Sequence, residues 1–180
     1  MSPGAKDIML TLKLGTIDIP LRSALEIDQS YELIGGETTL RTIDGTGIKQ
    51  ETWKKLRTVI SGGGWIPPGL AALDTSASIA VACIAPQGLV ADAGRQATLP
   101  AARRADAGHT PWAVALMPDG GQQSTTLGIA GNVATAGAVS NAAGYLIQYF
   151  PLVTCWINRP TQSFSRGGGA YRWELIAEEV

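Results

Sequence analysis

LEIDQSYEL, residues 25–33, alternates apolar and polar positions. Leu25, Ile27, Tyr31 and Leu33 fall on one side, and Glu26, Asp28, Ser30 and Glu32 on the other. Successive side chains of an extended strand point to opposite faces, so this spacing makes a half-buried β-strand. The same period recurs outward in both directions. Ile8, Leu10, Leu12 and Leu14 share a face ahead of Gly15, and Ile17, Ile19 and Leu21 alternate around Pro20, which marks an edge or bend. Downstream, Gly35-Gly36 reads as a hairpin turn, because paired glycines accept positive φ. Glu37–Ile43 then reads as the return strand, and Asp44-Gly45 as a second turn. Residues 49–60, KQETWKKLRTVI, fit a strand from about Leu56, with a short helical turn before it left open. Ile79, Val81 and Cys83 alternate, as do Trp112, Val114 and Leu116, and Tyr145, Ile147 and Tyr149. Leu152, Thr154 and Trp156 pair with Tyr171, Trp173 and Leu175 as a closing hairpin around a loop at Pro160–Gly169.

The expectation is a mainly β, antiparallel barrel or sandwich, forming a single domain over residues 1–180. At most one or two short helices are expected, in Lys49–Leu56 or in the Ala-rich segment. Composition agrees. The 180 residues include 22 glycines and 10 prolines, and 16% are charged, against roughly 25% in ordinary soluble domains. Lys plus Arg total 14 and Asp plus Glu 15, a balance unlike the basic surface a nucleic-acid binder needs. Lys49, Lys54, Lys55 and Arg57 are interleaved with Glu51, and residues 1–60 hold eight basic and eight acidic side chains, a mixed face. No long apolar run marks a signal peptide or membrane span.

Periodicity vanishes over Ala91–Pro111, and Gln122–Gly144 is poor in large side chains. Residues 91–143 therefore read as loop-rich, without a core of their own and ordered by neighbouring subunits. Ser61–Gly64 reads as a flexible break before Trp65-Ile66-Pro67-Pro68-Gly69-Leu70, a corner stiffened by two prolines. Trp65, Pro67, Pro68 and Leu70 are the candidate interface residues. Trp65 has two readings there, an anchor for a neighbouring subunit or a lid folded over its own sheet. Trp112, Trp156 and Trp173, in alternating strands, read as core.

A catalytic set is not legible. His109 is the sole histidine, reads as a solvated loop residue, and no G-x-S-x-G elbow accompanies it. Cys83 and Cys155 are spaced too widely for a zinc motif and read as buried thiols. Neither SGGGW nor RGGGA has phosphate-loop spacing. The expectation is no enzyme, no metal and no cofactor.

Three stretches carry a resemblance: GGETTLRTIDGTGIKQETWKKLRTVISGGGWIPPGLAALD (Gly35–Asp74), YLIQYFPLVTCWI (Tyr145–Ile157) and YRWELIAEEV (Tyr171–Val180). The first resembles a segment of small tail proteins of tailed bacteriophages. In those proteins an Asp-Gly turn precedes a Trp-Lys-Leu-Arg-Thr strand and an Ile-Ser-Gly-x-Gly-Trp-x-Pro-x-Gly-Leu corner. The other two are similar to the last hairpin of the same proteins. Residues 91–143 lie outside the resemblance. It implies a structural virion protein of the tail or baseplate, similar to the baseplate ripcord of contractile tails. A distal tail or tail-tube protein is the competitor within that class. The implied partners are tail-tube, baseplate-hub, sheath or wedge subunits, with self-association in a cyclic ring of three or six. The implied location is the virion, after synthesis in the bacterial host cytoplasm. Readings from other classes are a carbohydrate-binding module of a virion with Trp65 or Trp112 as platform, and a cell-wall hydrolase built on His109.

Overall fold

Alternation of the kind read in Leu25–Leu33 becomes strand over most of the chain. A computed structural model describes residues 11–180, the side chain of Arg159 excepted. In chain order the strands are β1 (Lys13–Leu14), β2 (Ile17–Asp18), β3 (Glu26–Arg41), β4 (Gly47–Gly64), β5 (Ile79–Ala82), β6 (Gln87–Val90) and β7 (Gln96–Thr98). There follow β8 (Trp112–Leu116), β9 (Gln122–Thr125), β10 (Leu127–Ala130), β11 (Val133–Ala136), β12 (Gly144–Tyr149), β13 (Leu152–Ser165) and β14 (Ala170–Glu179). Among the described residues the helical elements are two 3₁₀ turns, Leu21–Ser23 and Leu70–Ala72. Lys49–Leu56, where a helical turn stood open, is strand throughout. The fold is thus mainly β and antiparallel. None of its three sheets closes into a barrel among the described residues, which leaves the sandwich-like alternative. Of the alternation read over Ile8–Leu14, the part up to Leu10 lies outside the described residues; Leu12 and Leu14 are both buried.

The chain groups into two compact units. One comprises Ala82–Val153 with the described residues preceding Leu14; the other comprises Leu14–Val81 and Thr154–Val180. In the first, one sheet runs β6-β12-β8-β9 and a second runs β10-β11-β7. Their shared core is Leu99, Ala113, Ala134, Ala136, Ile147 and Tyr149, with Leu89 and Leu127 packed against it. Alanines at the contact let facing backbones approach closely, while Leu99, Ile147 and Tyr149 supply the buried area. The Ala-rich stretch thus contributes Leu99, Ala113, Ala134 and Ala136 to a core that it shares with β12. Its small side chains are what such close packing needs.

The second unit carries the seven-stranded sheet, in the order β2-β1-β5-β13-β14-β4-β3. Buried positions alternate along its central strands: Thr58 and Ile60, Cys155 and Ile157, and Trp173, Leu175 and Ala177. The register sets Leu175 opposite Ile60, and Ala177 opposite both Thr58 and Ile157. These buried side chains consequently share one face. The buried Thr58 hydroxyl donates to the Ser30 carbonyl at 2.8 Å and accepts from Gln29 Nε2 at 3.0 Å.

Two glycine readings are corrected. Gly35-Gly36 does not turn the chain; it lies inside β3 opposite Lys54 and Trp53, just before the register shift between Gly36 and Glu37. A Cβ on Gly35 would sit 2.6 Å from the Trp53 carbonyl oxygen. The reversal comes at Thr42–Thr46, where Gly45 has φ +86° and Asp44 accepts from the Thr46 amide at 3.3 Å. Nor is Ser61–Gly64 a flexible break: it is the end of β4. Gly62 lies opposite Trp173, and a Cβ there would fall 2.3 Å from the indole Cζ2. The indole Nε1 donates to the Ser23 carbonyl at 2.7 Å. A Cβ on Gly64 would fall 2.1 Å from the Arg22 carbonyl oxygen, whereas one on Gly63 meets nothing nearer than 3.5 Å.

The three neighbouring glycines should therefore respond differently to alanine. Gly62→Ala and Gly64→Ala should each lose about 1–3 kcal/mol through overpacking. Gly63→Ala should stay within about 0.5 kcal/mol of the parent, as open surface positions do. Urea midpoints of the three variants check this, and equal losses at all three positions would contradict the packing described.

Candidate functional site

The Trp65 corner follows directly from β4. The Trp65 amide donates to the Arg22 carbonyl at 2.8 Å, continuing the close approach that Gly64 permits. The chain then leaves the sheet through Pro67-Pro68, which cannot extend a ladder. Trp65 is 68% exposed, so it does not fold back as a lid. Pro67 is exposed as well. Pro68 and Leu70 are buried, so of the four candidate interface residues only Trp65 and Pro67 are exposed. Of the other tryptophans, Trp173 is core as expected. Trp112 is half-buried with its ring 5.3 Å from Phe150, and Trp156 is exposed, contrary to its core reading.

A second exposed feature was not singled out from the sequence. β14 pairs β4 only from Gly64 to Arg57, and the Leu56 amide is taken by the Glu179 carboxylate at 2.8 Å. Beyond that point Gly47–Lys54 is paired by β3 alone and forms a two-stranded ribbon. Leu40 and Ile48 face each other across it, both about half exposed, and Ile43 at its tip is fully exposed. Trp53 is also exposed, and Glu37 pairs with Lys49 at 2.5 Å. An isolated two-stranded hairpin is marginal in water, and apolar side chains on it gain nothing until something covers them.

The third feature is buried. Arg104 is 1% exposed. Its Nη1 donates to three carbonyls, those of Thr11 (3.0 Å), Ala82 (3.3 Å) and Cys83 (3.0 Å). Its Nε and Nη2 donate to the two oxygens of Asp106 at 2.9 and 2.6 Å, the paired geometry a guanidinium makes with a carboxylate. His109 Nδ1 lies 2.9 Å from Asp106 Oδ2 and 3.0 Å from Arg104 Nη2. Since the carboxylate only accepts, the Nδ1–H tautomer satisfies the first contact, and Nε2 has no partner among the described residues. The ring packs edge-on against Phe150 at 5.1 Å. The solvated-loop reading of His109 is thus overturned. Among the described residues its hydrogen-bonding neighbours are Asp106 and Arg104, and the cluster ties chain segments together.

Acidity follows from this geometry. Burial, then the neighbouring guanidinium, hold the His109 imidazole below its usual value. The Arg104 hydrogen bonds hold Asp106 at about 2. Among the described residues no three His, Cys, Asp or Glu side chains are grouped to hold a metal. No family model, curated protein or solved structure matches the chain.

Both shifts are downward, so each group's contribution is complete above its unfolded value and is lost as pH falls. The His109 contribution fades below about 6.5, and the Asp106 contribution fades from about 4 downward. Stability should therefore drop between pH 7.5 and pH 5 in the parent, and His109→Gln should flatten that interval. Denaturation midpoints at both pH values test it; equal slopes in parent and variant would show that the imidazole does not resist protonation.

Proposed function

We propose that the chain is a structural subunit of a bacteriophage tail or baseplate, acting through contacts and not through catalysis. Within that class the ripcord-like role, bridging tail tube or hub to sheath or wedge, suits it best; a distal tail or tail-tube role is the alternative. The resemblance of Gly35–Asp74, Tyr145–Ile157 and Tyr171–Val180 supports the reading. The observation that carries it is the ribbon beyond β14. A sixteen-residue β3 and an eighteen-residue β4 extend past their last neighbour and display Leu40, Ile43, Ile48 and Trp53 to solvent. Such an arm suits a subunit that completes itself against neighbours.

Particles purified from the source that encodes the chain should contain it in fixed stoichiometry, at a few copies per tail. Its absence from intact particles would overturn the proposal. Leu40→Ser with Ile48→Ser should leave the isolated subunit within about 1 kcal/mol of the parent, since both positions are already half exposed. The same pair should abolish incorporation, measured by mass spectrometry of particles from complemented cells.

A further inference from the structure

The sheet of the second unit has a face opposite Thr58, Ile60 and Trp173. Two ladder rows lie on it side by side. One reads Glu26, Gly63, Arg172, Ser163, and the other Asp28, Ser61, Glu174, Thr161. In both rows the β4 position is small and its neighbours on β3 and β14 are long. The result is a trough of about 300 Å³, floored by Ser61 and Gly63. Its walls, on strands either side of β4, stand about 10 Å apart at the backbone, two strand spacings. A smaller hollow of about 140 Å³ shares Glu26, Gly63 and Arg172 with the trough and is lined by the exposed Trp65. The two hollows therefore adjoin, with an indole at one end.

We propose that this trough binds a neutral oligosaccharide, independently of whether the chain is a tail subunit. Each wall group matches one property of such a ligand. Glu26, Asp28 and Glu174 each present two acceptor oxygens, and Arg172 presents a fork of donors; planar groups of this kind bond to pairs of adjacent sugar hydroxyls. Ser61, Ser163 and Thr161 add hydroxyls that donate or accept. Trp65 offers a flat apolar face for the C–H side of a sugar ring, and its exposure leaves that face unclaimed. Three carboxylates against one guanidinium repel sulfated, phosphorylated or uronic-acid glycans. An apolar ligand would find no apolar floor. A cationic peptide would meet Arg172 in the wall.

The test is titration of the full chain with chitotetraose, cellotetraose and maltotetraose, followed by NMR of the backbone amides and indole N–H groups. A heparin tetrasaccharide and tetralysine serve as the other arms. Saturable shifts with at least one neutral sugar, centred on Trp65, Ser61–Gly63 and Arg172–Glu174, are expected. Trp65→Ala and Asp28→Asn should each weaken that binding at least tenfold while leaving the remaining spectrum in place. The heparin fragment should not bind. No saturable shift with any neutral sugar up to 20-fold molar excess at millimolar protein would overturn the proposal. So would binding unchanged in both variants, or tetralysine binding more tightly than every neutral sugar.

Discussion

An indole packed against a glycine sets the geometry of the larger sheet. Trp173 needs the bare backbone of Gly62 beneath it and reaches the Ser23 carbonyl only from there. That hydrogen bond fixes the Leu21–Ser23 turn against the strand end. Gly64 makes room for the turn's own backbone, and the Trp65 amide seals it. The other residues of the run, Ser61 and Gly63, face the opposite side and leave the floor of the trough open. Four consecutive small residues thus serve two faces at once: one admits a large buried aromatic, and the other stays low between taller walls. Three glycines in a strand end carry an entropic cost, offset here by the buried tryptophan and its satisfied N–H.

Arg104 does comparable work in the other unit by different means. It is a fully buried cation whose donors are shared between three backbone carbonyls and one carboxylate. Leaving those carbonyls unpaired would cost far more than any single bond contributes. The histidine beside it completes the carboxylate's shell and packs on Phe150. Burial first, and the guanidinium 3.0 Å away second, favour its neutral form against the pull of the Asp106 carboxylate.

The strand class was legible because alternation is a local property. Leu25–Leu33, Trp112–Leu116 and Tyr171–Leu175 each announce a face without reference to the rest of the chain. What was not legible depended on partners distant in sequence. Ser61–Gly64 looked like a break because glycine is depleted in strands, and the reason for it, Trp173, lies in the last strand. Gly35-Gly36 carried a turn signal as strong as Asp44-Gly45; only its pairing with Lys54 and Trp53 shows that it continues the strand, beside a register shift that leaves Thr52 of β4 over. His109 sits in a stretch without periodicity, and its burial depends on Arg104 and Phe150. The exposure of Trp65 was one of two readings its Gly and Pro neighbours allowed. The trough was hidden altogether: its eight residues come in pairs from four strands, and each pair alone looks like an ordinary solvent-facing row.

The strand order has a consequence for how the protein is made. β13 and β14 stand in the middle of the seven-stranded sheet, between β5 and β4, yet they are the last strands in the chain. As the polypeptide leaves the ribosome, the β3–β4 ribbon and the β1–β5 edge emerge early with their inner margins bare. They wait for the whole of Ala82–Val153 to be synthesised before the two joining strands arrive. Their pairings are long-range, and such contacts form late because loop closure precedes any gain from them. Assembly of this sheet therefore follows synthesis of the Ala82–Val153 segment. The interval before it is when the open margins of β4 and β5 are exposed to mispairing with other nascent chains, a window that translation speed and chaperone supply would govern.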